Sequence, residues 1–167
     1  YSLDAEDIAL LSDLTQESGC AYSGLTYRSL IAYANTHDLR LAEHFSFLCG
    51  NLDMESLLTC YAVQIYLNNT NFSPYDNSLV WRSEVIDDTV PCADGKWRYL
   101  ITGLDAALLD SSANADPLEN PFSAVCSADT LFAALLENPD FCDGLYNCLL
   151  ALSRLDFSGV SDGDSDA

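Results

Sequence analysis

The sequence predicts an all-α fold, a disulfide-stapled bundle of about seven helices with one long irregular or short-hairpin excursion at about residues 68–95. Three observations carry this. Apolar residues recur at helical spacing through most of the 167 positions. Capping residues stand ahead of several of these runs. Seven cysteines accompany them, well above casual use.

Leu3-Asp4-Ala5-Glu6-Asp7-Ile8 reads as a helix start, with Asp4 as cap and Leu3 stapling Ile8. Ile8, Leu11 and Leu14 then share a face, and Gly19 ends the element. Tyr27, Leu30, Ile31 and Ala34 predict a second helix that stops near Asn35-Thr36. Asp38 is suited to cap a third, with Leu41, Phe45, Leu48 and Cys49 inward and Gly50-Asn51 closing it. Asp53 caps a fourth, whose apolar residues from Leu57 to Tyr66 wrap nearly all round, which places it in the middle. From Asn68 to Gly95 turn formers dominate, and Leu79–Ile86 reads equally as a short strand or a loop. Helical spacing returns at Trp97, Leu100, Ile101, Leu104 and Leu108, and again from Ser123 to Glu137. Asn138-Pro139 opens the last helix, a cap followed by proline at the first helical position. Residues 1–157 are read as one helical domain and 158–167 as an acidic tail.

The six basic and 26 acidic residues give a net charge of −20. So few cations cannot neutralise phosphate, which argues against a nucleic-acid partner and against anionic membrane. No run approaches the ~20 apolar residues of a membrane span. Self-repulsion among the acids is the kind that salt or divalent cations relieve.

Cys20, Cys49, Cys60, Cys92, Cys126, Cys142 and Cys148 contain no CxxC pair, and only two histidines exist, so the spacing points to disulfides and not to a zinc site. Within one helix, Cys142 and Cys148 lie about 9 Å apart along the axis, beyond the ~7 Å a bridge tolerates, so each is expected to pair elsewhere. An odd number leaves one thiol over. Sequons at Asn68 and Asn71 support a secreted, glycosylated chain, although Pro74 weakens the second. The chain opens on Tyr1 and its one methionine is Met54, as expected after removal of a leading segment.

No GxSxG, HExxH, P-loop or GxGxxG occurs. His37 and His44 are seven apart, and if Asp38 caps the intervening helix they need not share a face. Thr36-His37-Asp38 has a triad's residue types, but adjacent residues cannot converge on one substrate atom. Asp162, Asp164 and Asp166 alternate as the first three ligands of a calcium loop do, which makes Ca²⁺ the cofactor the tail suits. Ala167 stands where such a loop needs glycine, and no bidentate glutamate follows, so a solvated tail competes with that reading. Tyr22, Tyr27, Tyr33, Phe72, Tyr75 and Trp81 are interface-forming residue types, with core packing the alternative.

The expected function is that of a secreted, non-catalytic structural or interaction protein, a self-associating subunit of an extracellular assembly, with itself or another extracellular protein as partner. One alternative is a carrier with a small apolar ligand in a central helical pocket. A second is a Ca²⁺-dependent extracellular binding module.

Overall fold

A computed structural model describes residues 3–20, 22–69, 72, 78–104 and 129–155. Among these residues the fold is mixed, not all-α. Four strands, β1 (Ile8–Ser12), β2 (Thr15–Ser18), β3 (Leu79–Ser83) and β4 (Arg98–Leu100), form an antiparallel sheet in the order β2-β1-β3-β4. Five helices accompany it: α1 (Ser23–Thr36), α2 (Ala42–Asn51), α3 (Met54–Tyr66), α4 (Thr130–Leu135) and α5 (Pro139–Leu152).

The expected N-terminal helix lasts one 3-10 turn, Ala5–Asp7, and the chain then becomes the inner strand β1. Ile8-Ala9-Leu10-Leu11 is an unbroken apolar run, which satisfies the helical and the strand period alike. A partner some seventy residues away decides between them: Ile8 pairs with Ser83 and Ser12 with Leu79. Burial then alternates, Ala9 and Leu11 inward. Asp13 and Leu14 turn the β1–β2 hairpin with φ of 50° and 61°, as mirror-image two-residue turns require. Asp13 Oδ1 accepts the Ser78 amide at 2.9 Å, which ties the turn to the approach of β3.

The helix expected around Trp97–Leu108 is also corrected. Trp97 and Tyr99 face the core at alternate positions, residues 98–100 pair with β3, and residues 105–108 lie outside the described residues. Of the helix expected over 123–137, the described part is α4. Asp129 caps it by accepting the Leu131 and Phe132 amides. Asp53 and Asn138 cap α3 and α5 as expected, through the Ser56 and Phe141 amides. Asp38 does not cap α2; Leu41 precedes that helix with no side-chain cap.

One core joins the two kinds of element. Ala9, Leu11 and Val80 of the sheet meet Tyr27 and Leu30 of α1, Leu57 and Ile65 of α3, and Phe141 and Leu145 of α5. Helix α3 packs along both α5 and β4, and α1 along α4. Gly144 permits the first contact, since a Cβ there would stand 2.9 Å from Leu58 Cδ1. The centre, where a carrier's pocket was expected, is filled by Trp97, Tyr61, Phe132 and Phe141.

No disulfide joins any two of the six described cysteines, and Cys126 lies outside the described residues. This overturns the stapled bundle, and the argument for an oxidising compartment loses its support. Cys142 and Cys148 share α5 and the others lie apart from them; Cys60 is buried, Cys49, Cys142 and Cys148 are half-buried and act as small packing groups, and Cys20 and Cys92 are exposed. The Cys142 thiol donates to Leu136 O at 3.1 Å, and buried Cys60 lies in mid-α3 with its sulfur 3.7 Å from Leu100 O. A chain this long buries about 68–70% of its unfolded surface, enough to fold without bridges.

Two positions test the backbone. Gly19 has φ +96°, and a Cβ there would lie 2.6 Å from Ala9 Cα, so Gly19→Ala is expected to cost at least about 2 kcal/mol in urea unfolding. Asn68 (φ 53°) ends α3 in a Schellman turn, with its amide on Ile65 O and that of Asn69 on Gln64 O. Asn68→Gly should leave stability unchanged or raised, and Asn68→Val should lower it by about 1–2 kcal/mol. Equal effects of the two substitutions would contradict this turn.

Candidate functional site

The junction of α1 and α2 gathers most of the exposed aromatic chemistry that the described residues bring together. Tyr33 lies one turn before the end of α1, and His37 follows the last residue, its amide on Tyr33 O at 3.1 Å. Asp38 bends the chain by accepting the Arg40 amide at 3.0 Å and binding its guanidinium at 2.8 Å through both Nε and Nη2. Those bonds hold the Asp38 carboxyl below, and the Arg40 guanidinium above, their ordinary pKa values. Fully buried Leu39 plugs the turn into the core, and Asn138 Nδ2 donates to its carbonyl at 2.8 Å. Helix α2 then starts at Ala42 and returns His44 and Phe47 to the same side.

Four rings meet there. Tyr33 stacks on His37 with centroids 3.8 Å apart and planes at 14°, and lies 4.3 Å from Phe47. His44 stands 4.8 Å from His37, and its Nδ1 shares a 2.8 Å hydrogen bond with the Tyr33 hydroxyl. The two histidines, expected to have no need of a common face, are neighbours. Glu43 approaches His44 Nε2 at 3.7 Å. Phe47 and Leu41 remain 44% and 49% exposed.

An open cleft of about 480 Å³ adjoins the rings at His37 and runs along the contact between the end of α1 and α4, which Asn35 Nδ2 bridges to Thr130 Oγ1 at 3.1 Å. Ala34, Ala133 and Ala134 line it together with Asn35, Thr130, Arg40 and Glu137. His37 Nδ1 lies 2.9 Å from Tyr33 O, and a carbonyl only accepts, so Nδ1 carries the hydrogen. The Thr36 hydroxyl donates to Ala32 O at 2.8 Å. The 3.1 Å contact between that hydroxyl and Nδ1 is therefore not a nucleophile–base couple, and Asp38 is engaged by Arg40.

Other polar clusters are turned to structure. Glu84 accepts the Cys20 amide at 2.8 Å and the buried Ser23 hydroxyl, holding the start of α1 to the end of β3. Burial pushes its carboxyl up, but the hydrogen bonds from Ser23 and Cys20 outweigh that and hold it below the ordinary value. Arg98 joins Asp94 at 2.8 Å and Asp53 at 3.2 Å, and its hydrogen bonds lower the Asp94 carboxyl to about 2. Inside the core the Tyr27 and Tyr99 hydroxyls share a 2.6 Å bond, while Tyr61 donates to Asp129. Burial raises both Tyr27 and Tyr99, and lifts the Cys60 thiol to about 12.

The residues singled out in the sequence are dispersed. Asn68 sits in the Schellman turn with Oδ1 buried and without a partner among the described residues. Asn71, Tyr75, Asp162, Asp164 and Asp166 lie outside the described residues. Tyr27 and Phe72 are core, whereas Tyr22 is exposed. Among the described residues no three His, Cys, Asp or Glu side chains are grouped to hold a metal ion, and no helix is long and apolar enough to cross a membrane. Neither a known protein family, nor a curated protein, nor a solved structure matches the chain.

Burial lifts the Asp129 carboxyl to about 6, against about 3.9 for an unfolded aspartate. The fold therefore binds this proton more tightly than the unfolded chain does. Its contribution to stability is full below pH ~4 and is lost as pH rises through ~6. Urea unfolding in high salt, where long-range repulsion is screened, should show a decline of up to about 3 kcal/mol across that window. Asp129→Asn keeps an acceptor for the α4 amides and should flatten the decline. A variant with the wild-type slope would assign it to another group.

Proposed function

We propose that the chain is a non-catalytic interaction protein that docks partners on the α1–α2 face. One observation carries the reading: Tyr33, His37, His44 and Phe47 pack into a single platform, Tyr33 stacked on His37 and the other rings tilted against them, with His37 and Phe47 exposed. Aromatic side chains are what the centres of protein interfaces use, because they bring large area at low entropic cost. The rings already pack on one another without a partner, an arrangement that reduces the ordering cost of binding. The turn beneath it is fixed by Leu39 and Asn138, and its ring order by the Tyr33–His44 hydrogen bond.

The partner is a different protein and not a second copy. Self-association through this face would set Glu43 and Glu137 of one chain against those of another, with a net charge of −20 on each. Like charges brought together in an interface are costly, and they slow encounter as well.

Peptides selected from a random display library against the full chain provide the test. Their affinity is expected to fall roughly tenfold with Phe47→Ser and with Leu41→Ser, compared at a temperature where circular dichroism shows both variants folded. Binders indifferent to both substitutions would overturn the reading.

A further inference from the structure

Resting on the reading of the α1–α2 face as a docking surface, we propose that its occupant is a cationic segment of another protein. An arginine or lysine of that segment lies on the exposed Phe47 ring, and carboxylates at the platform and the adjoining cleft meet its charge.

Aromatic faces carry negative potential and attract cations laid over them. The chain shows this habit elsewhere, with Arg82 over Trp97 at 5.1 Å and Arg98 over Trp81 at 5.6 Å. No described cation of the chain occupies the corresponding place on Tyr33 or Phe47. The nearest basic group along the turn, Arg40, is already committed to Asp38 by two 2.8 Å bonds. Tyr33 is covered by His37 and Phe47, and the exposed Phe47 ring is left open to a cation from outside.

The surroundings select the same charge. Glu43 flanks the platform beside His44, and Glu137 lines the cleft next to it without an ion pair among the described residues. With 26 acids against six basic residues, the field of the whole chain concentrates cationic partners and repels anionic ones. The cleft's three alanines, Ala34, Ala133 and Ala134, offer an apolar floor on which the methylene stem of a long basic side chain can lie. At about 480 Å³ the cleft has room for such a side chain together with adjoining backbone.

The test titrates the full chain with an end-blocked peptide carrying a single arginine among glycines and serines. A citrulline peptide, nearly isosteric and neutral, serves as its control, and binding is followed by NMR. The arginine peptide is expected to shift the Tyr33, His37 and Phe47 ring resonances saturably, with citrulline at least about fivefold weaker. Phe47→Leu leaves the net charge untouched and should weaken the arginine peptide by about fivefold, whereas diffuse attraction to the acids would survive it. Glu137→Gln should weaken it independently. Equal binding of the two peptides would overturn the inference, as would shifts spread over acidic residues elsewhere and unchanged in Phe47→Leu. Library peptides that need Phe47 but carry no basic residue would refute the cationic occupant while leaving the docking face intact; peptides that ignore Phe47 would refute both.

Discussion

A single buried amide holds the surface on which the functional reading stands. Asn138 is 4% exposed, and its two ends do separate work: Oδ1 accepts the Phe141 amide and caps α5, while Nδ2 donates to Leu39 O. The first bond starts a helix; the second fixes a turn ninety-nine positions earlier in the chain. Leu39 can stay fully buried because its carbonyl is satisfied, and an unpaired buried carbonyl would cost about 1–3 kcal/mol. With Leu39 anchored, the chain leaves α1 and enters α2 at an angle that sets Tyr33 and His37 against His44 and Phe47. The platform is thus a consequence of core chemistry.

Around that anchor the core works as a joint between helices and sheet. Helix α3 is its hub, buried against α5 on one side and β4 on another. Tyr61 of α3 stacks on Phe132 at 4.3 Å, and such ring pairs add about 0.5–1.5 kcal/mol to the burial itself. Its hydroxyl reaches Asp129, the cap of α4, so one side chain joins α3 to the start of a helix too short to persist alone. Tyr27 and Tyr99 join α1 to β4 through their hydroxyls in the same way. Truncating either hydroxyl would leave its buried partner unsatisfied, which makes these polar contacts as consequential as the apolar ones around them.

Legibility in the sequence followed the range of the interactions. The capping of α3 by Asp53 and of α5 by Asn138, and the inward stripe of Tyr27, Leu30 and Ala34, depend on neighbours three or four residues away, and these elements were readable. The identity of β1 depends on Ser83 and Leu79, and that of β4 on Val80 and Trp81; without those partners, Ile8–Leu11 and Trp97–Leu100 satisfy a helical period. The cysteines misled because abundance says nothing of position, and these six described thiols are spread across the fold unbridged. The site was visible in part. Both histidines drew attention, but the supposed Asp38 cap separated them, since Asp38 turns to Arg40. Tyr33 and His37, which do meet, stand at i,i+4, the spacing of a ring contact on a helix face, and His44 and Phe47, at i,i+3 on α2, each meet Tyr33. What the spacing could not supply was the turn bringing the two faces together, because its anchor comes from α5.

The most direct measurement is a set of nuclear Overhauser contacts among the Tyr33, His37, His44 and Phe47 rings in the wild-type chain and in Asn138→Asp. The substitution keeps the acceptor that caps α5 and removes the donor to Leu39 O. Ring-to-ring contacts are expected throughout the wild-type cluster. In the variant they should weaken or vanish while the amide pattern of α5 stays in place. Rings that show no mutual contacts in the wild-type chain, or that keep all of them in Asn138→Asp, would contradict it.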